Sequence, residues 1–177
     1  MYFNLESYYI EPIKIEDAWN ICNFAVSNED RLKRYFPKTL EQNLTPDLSK
    51  YFVEKKIKEF AAKEEFLFVL KEKENHSLIG LIYLKELDWG KKQGELAYVI
   101  GNQAEGNGYM TETINAICDW AIKELQLKTL QIITHKSNIG SVRVAEKCGF
   151  VWQKVLPAEH TPPNEIPLDM ELYERFT

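Results

Sequence analysis

Between Gln103 and Glu112 the chain reads Gln-Ala-Glu-Gly-Asn-Gly-Tyr-Met-Thr-Glu. Gly106 and Gly108 reach backbone conformations closed to other residues and carry no Cβ to hold a ligand away. The segment lies between a predicted strand and a predicted long helix. There it turns several N–H groups into one concavity at a helix N-terminus. Such N–H groups and the helix dipole together favour an anion, typically phosphate or pyrophosphate. Three ligands compete. A P-loop needs GxxxxGK(S/T), and no Lys-Ser or Lys-Thr follows Gly108. A dinucleotide fingerprint needs GxGxxG early in a strand–helix–strand unit, whereas here Thr111 follows and the segment lies past the middle of the chain. The third is the pyrophosphate of coenzyme A. Taken alone, GxG fits a plain turn equally well; its placement is what argues for a ligand.

The elements that must position this segment follow from hydrophobic periodicity. Tyr8 to Lys14 reads as a strand, and Glu16 to about Arg34 as a helix with acidic residues in its first turn. Pro37 is expected to close that region. Pro46-Asp47 opens a second helix through Phe60. Phe66 to Leu70 and Leu78 to Leu84, joined by Asn75-His76-Ser77, read as an antiparallel hairpin. Gly94 to Gly101 is a further strand after the Asp88-Trp89-Gly90 turn. Met110, Ile114, Ile117, Cys118, Ala121, Ile122 and Leu125 mark one stripe of a helix from Tyr109 to about Leu127. Thr129 to His135 is a strand and Ser141 to Cys148 a short helix with Gly149 as its C-cap. Strands at Phe150 to Leu156 and Leu168 to Glu174 flank a loop, Pro157 to Pro167, with four prolines. The pattern is an α/β (α+β) domain with a mixed, mostly antiparallel central sheet flanked by helices.

The bulk numbers bound the possibilities. At 177 residues the chain is expected to be a single domain, residues 1–177. The net charge of -5 is poorly suited to nonspecific nucleic-acid binding, and no nucleic acid is expected as a partner. Met1 to Glu6 carries no basic stretch followed by an apolar run, so no signal peptide is expected. No stretch reaches the ~18 apolar residues of a membrane span, so no membrane partner is expected either. Cys22, Cys118 and Cys148 and the three scattered histidines show no metal-ligand spacing, so no metal is expected. The cysteine use suggests a reducing, cytoplasmic compartment.

Gln103-x-x-Gly106-x-Gly108 resembles the (Q/R)xxGx(G/A) signature of the GNAT superfamily of N-acetyltransferases. Tyr109-Met110-Thr111-Glu112 resembles the GYATEA-like continuation in the ribosomal-protein N-terminal acetyltransferase branch, the Rim type. The run from Asn138 to Phe150 is similar to that branch's second motif, NxxSxxxxEKxGF. The resemblance covers roughly residues 8–175. It implies acetyl-CoA as cosubstrate, direct acetyl transfer to a primary amine, and an acceptor that is a peptide N-terminus or a small molecule such as a polyamine, amino acid or aminoglycoside. It leaves monomer or homodimer open.

The resemblance also assigns roles. Transfer from a thioester to an amine needs a proton acceptor for the amine, a donor for the acyl oxygen, and a proton or dipole for the leaving thiolate. The family holds the acyl carbonyl with a backbone N–H before the glycine turn, where two strands splay; Val99 occupies that place, with Ile100 beside it. Gln103, Ala104, Gly106, Asn107, Gly108, Tyr109 and Met110 would hold the pyrophosphate. Glu95 matches the general base of the histone acetyltransferase branch, though a solvated strand-end glutamate reads the same in sequence. Ser141 stands where Rim-type enzymes have a proposed proton donor to the thiolate, and a helix N-cap explains it equally well. Many other GNAT enzymes use a tyrosine four residues on, where this chain has Ala145. Asn138 would bind the pantetheine arm or close an Asx turn. Arg143 and Lys147 would meet phosphates, or simply be exposed helix charges. Tyr35, Phe36 and Trp89 are candidates for the acceptor side, and Glu105 reads as a solvated loop residue. Two other functions stay open: a noncatalytic coenzyme A-binding regulatory module on the same fold, and a nucleotide-binding protein.

Overall fold

The run Phe66-Leu67-Phe68-Val69-Leu70 is apolar at every position, so a strand there buries both faces. In the computed structural model, which describes residues 2–177, this run forms most of β3 (Phe66–Glu72) and is buried throughout. Met1, part of the segment read above for a leader, lies outside the described residues. Preceding β3 are β1 (Phe3–Asn4), β2 (Tyr8–Pro12), α1 (Ala18–Ser27), α2 (Glu29–Tyr35), α3 (Pro37–Glu41) and α4 (Pro46–Ala62). After it come β4 (Leu78–Asp88), β5 (Gln93–Ile100), α5 (Tyr109–Leu125), β6 (Thr129–Thr134), α6 (Ile139–Lys147), β7 (Val151–His160) and β8 (Leu168–Phe176). The strands form one sheet in the order β1-β2-β3-β4-β5-β6-β8-β7. β5 and β6 pair in parallel, while β1/β2, β2/β3, β6/β8 and β7/β8 are antiparallel.

The chain divides into two compact units, one up to Tyr83 together with Tyr98–Glu105, the other Leu84–Ala97 together with Gly106–Thr177. In the first, Ile10, Ile21, Leu32, Phe68, Leu70 and Leu81 form a core with almost no exposure, and α4 packs on α1 and β3. A buried ion cluster sits beside it. Lys71 Nζ lies 2.8 Å from Glu11 Oε1 and 2.5 Å from Asp17 Oδ1, and Lys14 bonds the other Glu11 oxygen. Thr39 and Tyr83 hydroxyls meet at 2.9 Å, and Ser49 donates to Asn43, so the buried polar groups here are partnered.

The first predicted helix is broken. It is a 3₁₀ turn at Ile15–Asp17 followed by α1 and α2, which meet at Asn28 with φ -120° and ψ 27°. Pro37 does not close the region but begins α3, since its fixed φ and missing N–H suit a first helical position.

In the second unit, α5 buries Met110, Ile114, Ile117, Cys118 and Ala121 as its stripe predicts, plus Thr113 and Trp120, while Ile122 and Leu125 are only partly covered. Ser141 is not the cap of α6. Asn138 is, its Oδ1 accepting the Ser141 N–H at 3.3 Å. At the other end Gly149, at φ +77°, donates to Glu146 while Phe150 donates to Ala145, the paired bonds of a Schellman ending. The proline-rich loop is shorter than predicted because β7 runs on to His160. Pro157 is tolerated there because β7 is the outermost strand of the sheet, and Ala158 bulges at φ +52° with its N–H on Asp169.

Burial pushes the Glu11 carboxyl up, but its bonds from Lys14 and Lys71 outweigh that and leave it below the usual carboxylate range. A depressed carboxylate contributes stability above its unfolded pKa and loses it as pH falls through the folded value. Lys71→Met is therefore expected to cost about 3 kcal/mol at neutral pH by leaving two buried carboxylates without their shared cation. Its urea midpoint should also fall less on acidification than that of the wild type. A midpoint within error of wild type at neutral pH would show that the cluster contributes nothing.

Candidate active site

The site begins where a strand stops pairing. The parallel ladder of β5 and β6 runs from Gln93↔Thr129 to Leu96↔Ile132 and ends there, although β5 continues to Ile100. On the other side β5 stays close to β4: the Gly101 N–H donates to Ile79 O at 2.8 Å, and a Cβ on Gly80 would stand 3.0 Å from Val99 O. Strand alternation therefore turns the Val99 N–H toward β4 and the Tyr98 and Ile100 N–H groups away from it. Of the two residues named for the acyl carbonyl, Ile100 has the better-directed N–H. Val99 is buried through its side chain.

Beyond Ile100 a short 3₁₀ turn, Asn102–Ala104, carries the chain into the glycine segment. Ala104 is buried and Gln103 is exposed. Glu105 is not simply solvated. Arg31 Nη2 donates to its carboxylate and Arg31 Nε to Asn102 Oδ1, while the Asn102 N–H donates to Asn28 Oδ1 at 2.9 Å. Nothing in the glycine motif points to Asn28, Arg31 or Asn102. The readable signal was local, since Asn followed by Glu29-Asp30 is a helix-start pattern inside what otherwise reads as one helix.

In the second unit, Gly106 and Gly108 sit at φ +83° and +78°, and a Cβ on either would meet nothing within 4 Å. Gly108 is the N-cap of α5 and offers no side-chain oxygen to the first turn. The Thr111 and Glu112 N–H groups return to Gly108 O, so the turn closes on itself while its outer face stays open. An exposed, side-chain-free helix start of this kind fits a pyrophosphate. Asn107 is exposed, Tyr109 half-buried and Met110 buried.

Glu95 lies on β5 opposite Gln131 of β6, half-buried, with Oε1 3.1 Å from Lys85 Nζ. Burial pushes its carboxyl up. The Lys85 charge and hydrogen bond pull it back only in part, and Glu86 and Glu159 push the same way as burial. The solvated strand-end reading of Glu95 does not describe this side chain. Asn138 and Ser141 stand together at the start of α6, both half-buried, while Arg143 and Lys147 are exposed on the same helix.

The acceptor candidates have separate surroundings within their own units. Phe36 stacks on Tyr83 at 6.2 Å, Arg34 lies over the Tyr35 ring at 5.4 Å, and Trp89 is exposed in the turn between β4 and β5. Burial pushes the Cys118 thiol up to about 12 and the Cys148 thiol to about 11, which leaves neither as a nucleophile at neutral pH. Among the described residues no group of three or more His, Cys, Asp or Glu is placed to hold a metal, and no helix is long and apolar enough to cross a membrane.

A side chain at Gly106 has room but the wrong backbone. Gly106→Ala is therefore expected to weaken coenzyme A binding about fivefold to thirtyfold, from a cost of roughly 1–2 kcal/mol for the left-handed conformation. Titration calorimetry with coenzyme A reads this directly. Unchanged affinity would mean that the turn does not hold the ligand in this conformation.

Comparison with known proteins gives the same reading. Residues 8–151 match the model of the acetyltransferase (GNAT) domain. The chain is 25% identical over 143 residues to the probable N-acetyltransferase YjcK of Bacillus subtilis (strain 168), covering 80% of this chain and 79% of that one. Its fold is similar to the ribosomal-protein-S5-alanine acetyltransferase of Vibrio fischeri, with TM-score 0.93, 24% identity, and coverage of 99% and 96% of the two chains. It is also similar to RimL, a ribosomal L7/L12 alpha-N-protein acetyltransferase solved in complex with coenzyme A, with TM-score 0.89, 12% identity, and coverage of 99% and 98%. With the glycine turn, the open helix start and the strand that leaves its ladder, the match places the chain in the GNAT acetyltransferase domain family, as an N-acetyltransferase that draws its acetyl group from acetyl-CoA.

Proposed function

We propose that this enzyme, with residues 1–177 serving one catalytic domain, moves the acetyl group directly to the α-amine of a protein N-terminus. The Rim-type continuation after Gly108 supports that acceptor, as does the likeness to two ribosomal-protein acetyltransferases. The observation that carries direct transfer is Glu95, a half-buried carboxylate with raised proton affinity, five residues before the outward-facing Ile100 N–H. A base on the same strand as the acyl-oxygen donor takes the amine proton without a covalent enzyme intermediate, and the buried cysteines offer no nucleophile for one.

In this reading Glu95 accepts the amine proton, directly or through water. The Ile100 N–H, with Val99 shaping the strand, stabilises the acyl oxygen. Gln103, Ala104, Gly106, Asn107, Gly108, Tyr109 and Met110 hold the pyrophosphate through the turn and the first turn of α5. Asn138 orients the pantetheine arm, Arg143 meets an outer phosphate, and the Ser141 hydroxyl gives the departing thiolate its proton. The three reduced cysteines suit a cytoplasmic enzyme.

Thiol release from acetyl-CoA, followed with a chromogenic thiol reagent against N-terminal peptides, polyamines, amino acids and aminoglycosides, tests the reading. N-terminal peptides are expected to drive release. Glu95→Gln should cut kcat about a hundredfold or more and Ser141→Ala by a smaller factor, with coenzyme A affinity kept in both. Release with polyamines alone would replace the peptide acceptor by a small amine. Coenzyme A binding with no release for any amine would favour a noncatalytic module.

The pH profile follows from the same residue. The rate should rise as pH climbs through the raised Glu95 value, where the carboxylate becomes available as base. Lys85→Met removes the charge that holds this value down, so the rising limb should move to higher pH. A limb that stays in place would show that another group titrates.

A further inference from the structure

α1 and α2 break at Asn28, and the break is built onto the limb of chain that leads into the glycine turn. Asn28 is buried. Its Nδ2 donates to Phe24 O at 2.9 Å and its Oδ1 accepts the Asn102 N–H at 2.9 Å. Gly101 makes the approach possible, since a Cβ there would stand 3.2 Å from the Phe24 ring and 3.4 Å from Asn28 Oδ1. One helical turn on, Arg31 reaches the same limb with both arms of its guanidinium, one on Asn102 Oδ1 and one on Glu105. Glu105 itself poses an electrostatic problem. It immediately precedes Gly106 and is mostly exposed, so a bare carboxylate there would oppose an anion at the turn.

We propose that Arg31 is a positioning residue for the acetyl donor: it fixes the Asn102–Glu105 limb and neutralises Glu105, so that the turn accepts a pyrophosphate. The inference rests on the acetyl-CoA reading above, but not on which amine is the acceptor. A guanidinium suits the task because its planar fork meets two acceptors at once, which an ammonium cannot do with the same geometry.

The test is calorimetric binding of coenzyme A to wild type, Arg31→Ala, Glu105→Gln and the double variant, with melting temperatures measured beside it. Arg31→Ala is expected to weaken binding about fivefold or more at low salt. Glu105→Gln should bind as well as wild type or better. The double variant should recover most of the lost affinity, because the carboxylate that Arg31 neutralises is gone. In turnover, Arg31→Ala should raise the KM for acetyl-CoA with kcat kept, and leave kcat/KM for acetyl-pantetheine, which lacks the pyrophosphate, unchanged.

A purely structural role would lower activity with both donors and would not be rescued by Glu105→Gln. Either result overturns the proposal, as does unchanged affinity in Arg31→Ala. Arg31→Lys provides the conservative check, keeping the charge but losing the fork, and is expected to fall between wild type and alanine. Failure of the wild type itself to bind coenzyme A would instead refute the donor reading.

Discussion

A strand that loses its neighbour must give its backbone groups another partner, and the proposed donor to the acyl oxygen lies where β5 faces that requirement. β5 is paired on both sides as far as Leu96 and then on the β4 side only. Beyond that point the Ile100 N–H is turned away from β4 and held in that direction by the strand. This is the condition for a preorganised donor to a developing oxyanion. Past Ile100 the chain leaves the sheet and turns into α5 through glycines in the left-handed region. In the proposed reading the acyl oxygen and the pyrophosphate are both met by this stretch of backbone, the first by the Ile100 N–H and the second by the glycine turn.

Three buried or half-buried lysine–carboxylate groups show how the same interaction serves different ends. Lys71 sits between Glu11 and Asp17, and Lys56 lies 2.8 Å from Glu59 and 2.6 Å from Glu65. In both, burial lowers the lysine's proton affinity, but the two carboxylates outweigh it and hold the ammonium charged. Glu95 has a single lysine, and two further carboxylates push its proton affinity up. The first two arrangements are electrostatically satisfied and tie elements together. The third is left short of positive charge, as suits the proposed role of Glu95 as the base.

The features most legible in sequence were those with a steric or periodic cause. The apolar run of β3, the stripe of α5, the positive-φ glycines and the Gly149 ending follow from residue types that few other conformations accommodate. Less legible were features decided by contacts distant in sequence. Glu16 to Arg34 has a continuous helical pattern, and it breaks at Asn28 because that side chain is bonded to Asn102, which is 74 residues away. The cap of α6 shifts from Ser141 to Asn138 because either residue can accept a first-turn N–H, and only the path of the chain after β6 decides between them. Pro157 suggested a loop, but an outermost strand tolerates a missing donor that an inner one would not. Glu95 was legible as a candidate, whereas its burial and its pairing with Lys85 depend on how β4 and β5 meet.

The placement of the indoles has a spectroscopic consequence. Trp19, Trp89 and Trp152 are 60%, 44% and 51% exposed, whereas Trp120 on α5 is 9% exposed. Three of the four tryptophans already emit from wet surroundings, so loss of structure around them changes the intrinsic fluorescence little. The spectral shift on unfolding comes chiefly from one indole, on the helix that Gly108 begins. Fluorescence-monitored denaturation thus follows the unit that carries the glycine turn, while the unit built on β3 is seen better through its backbone circular dichroism.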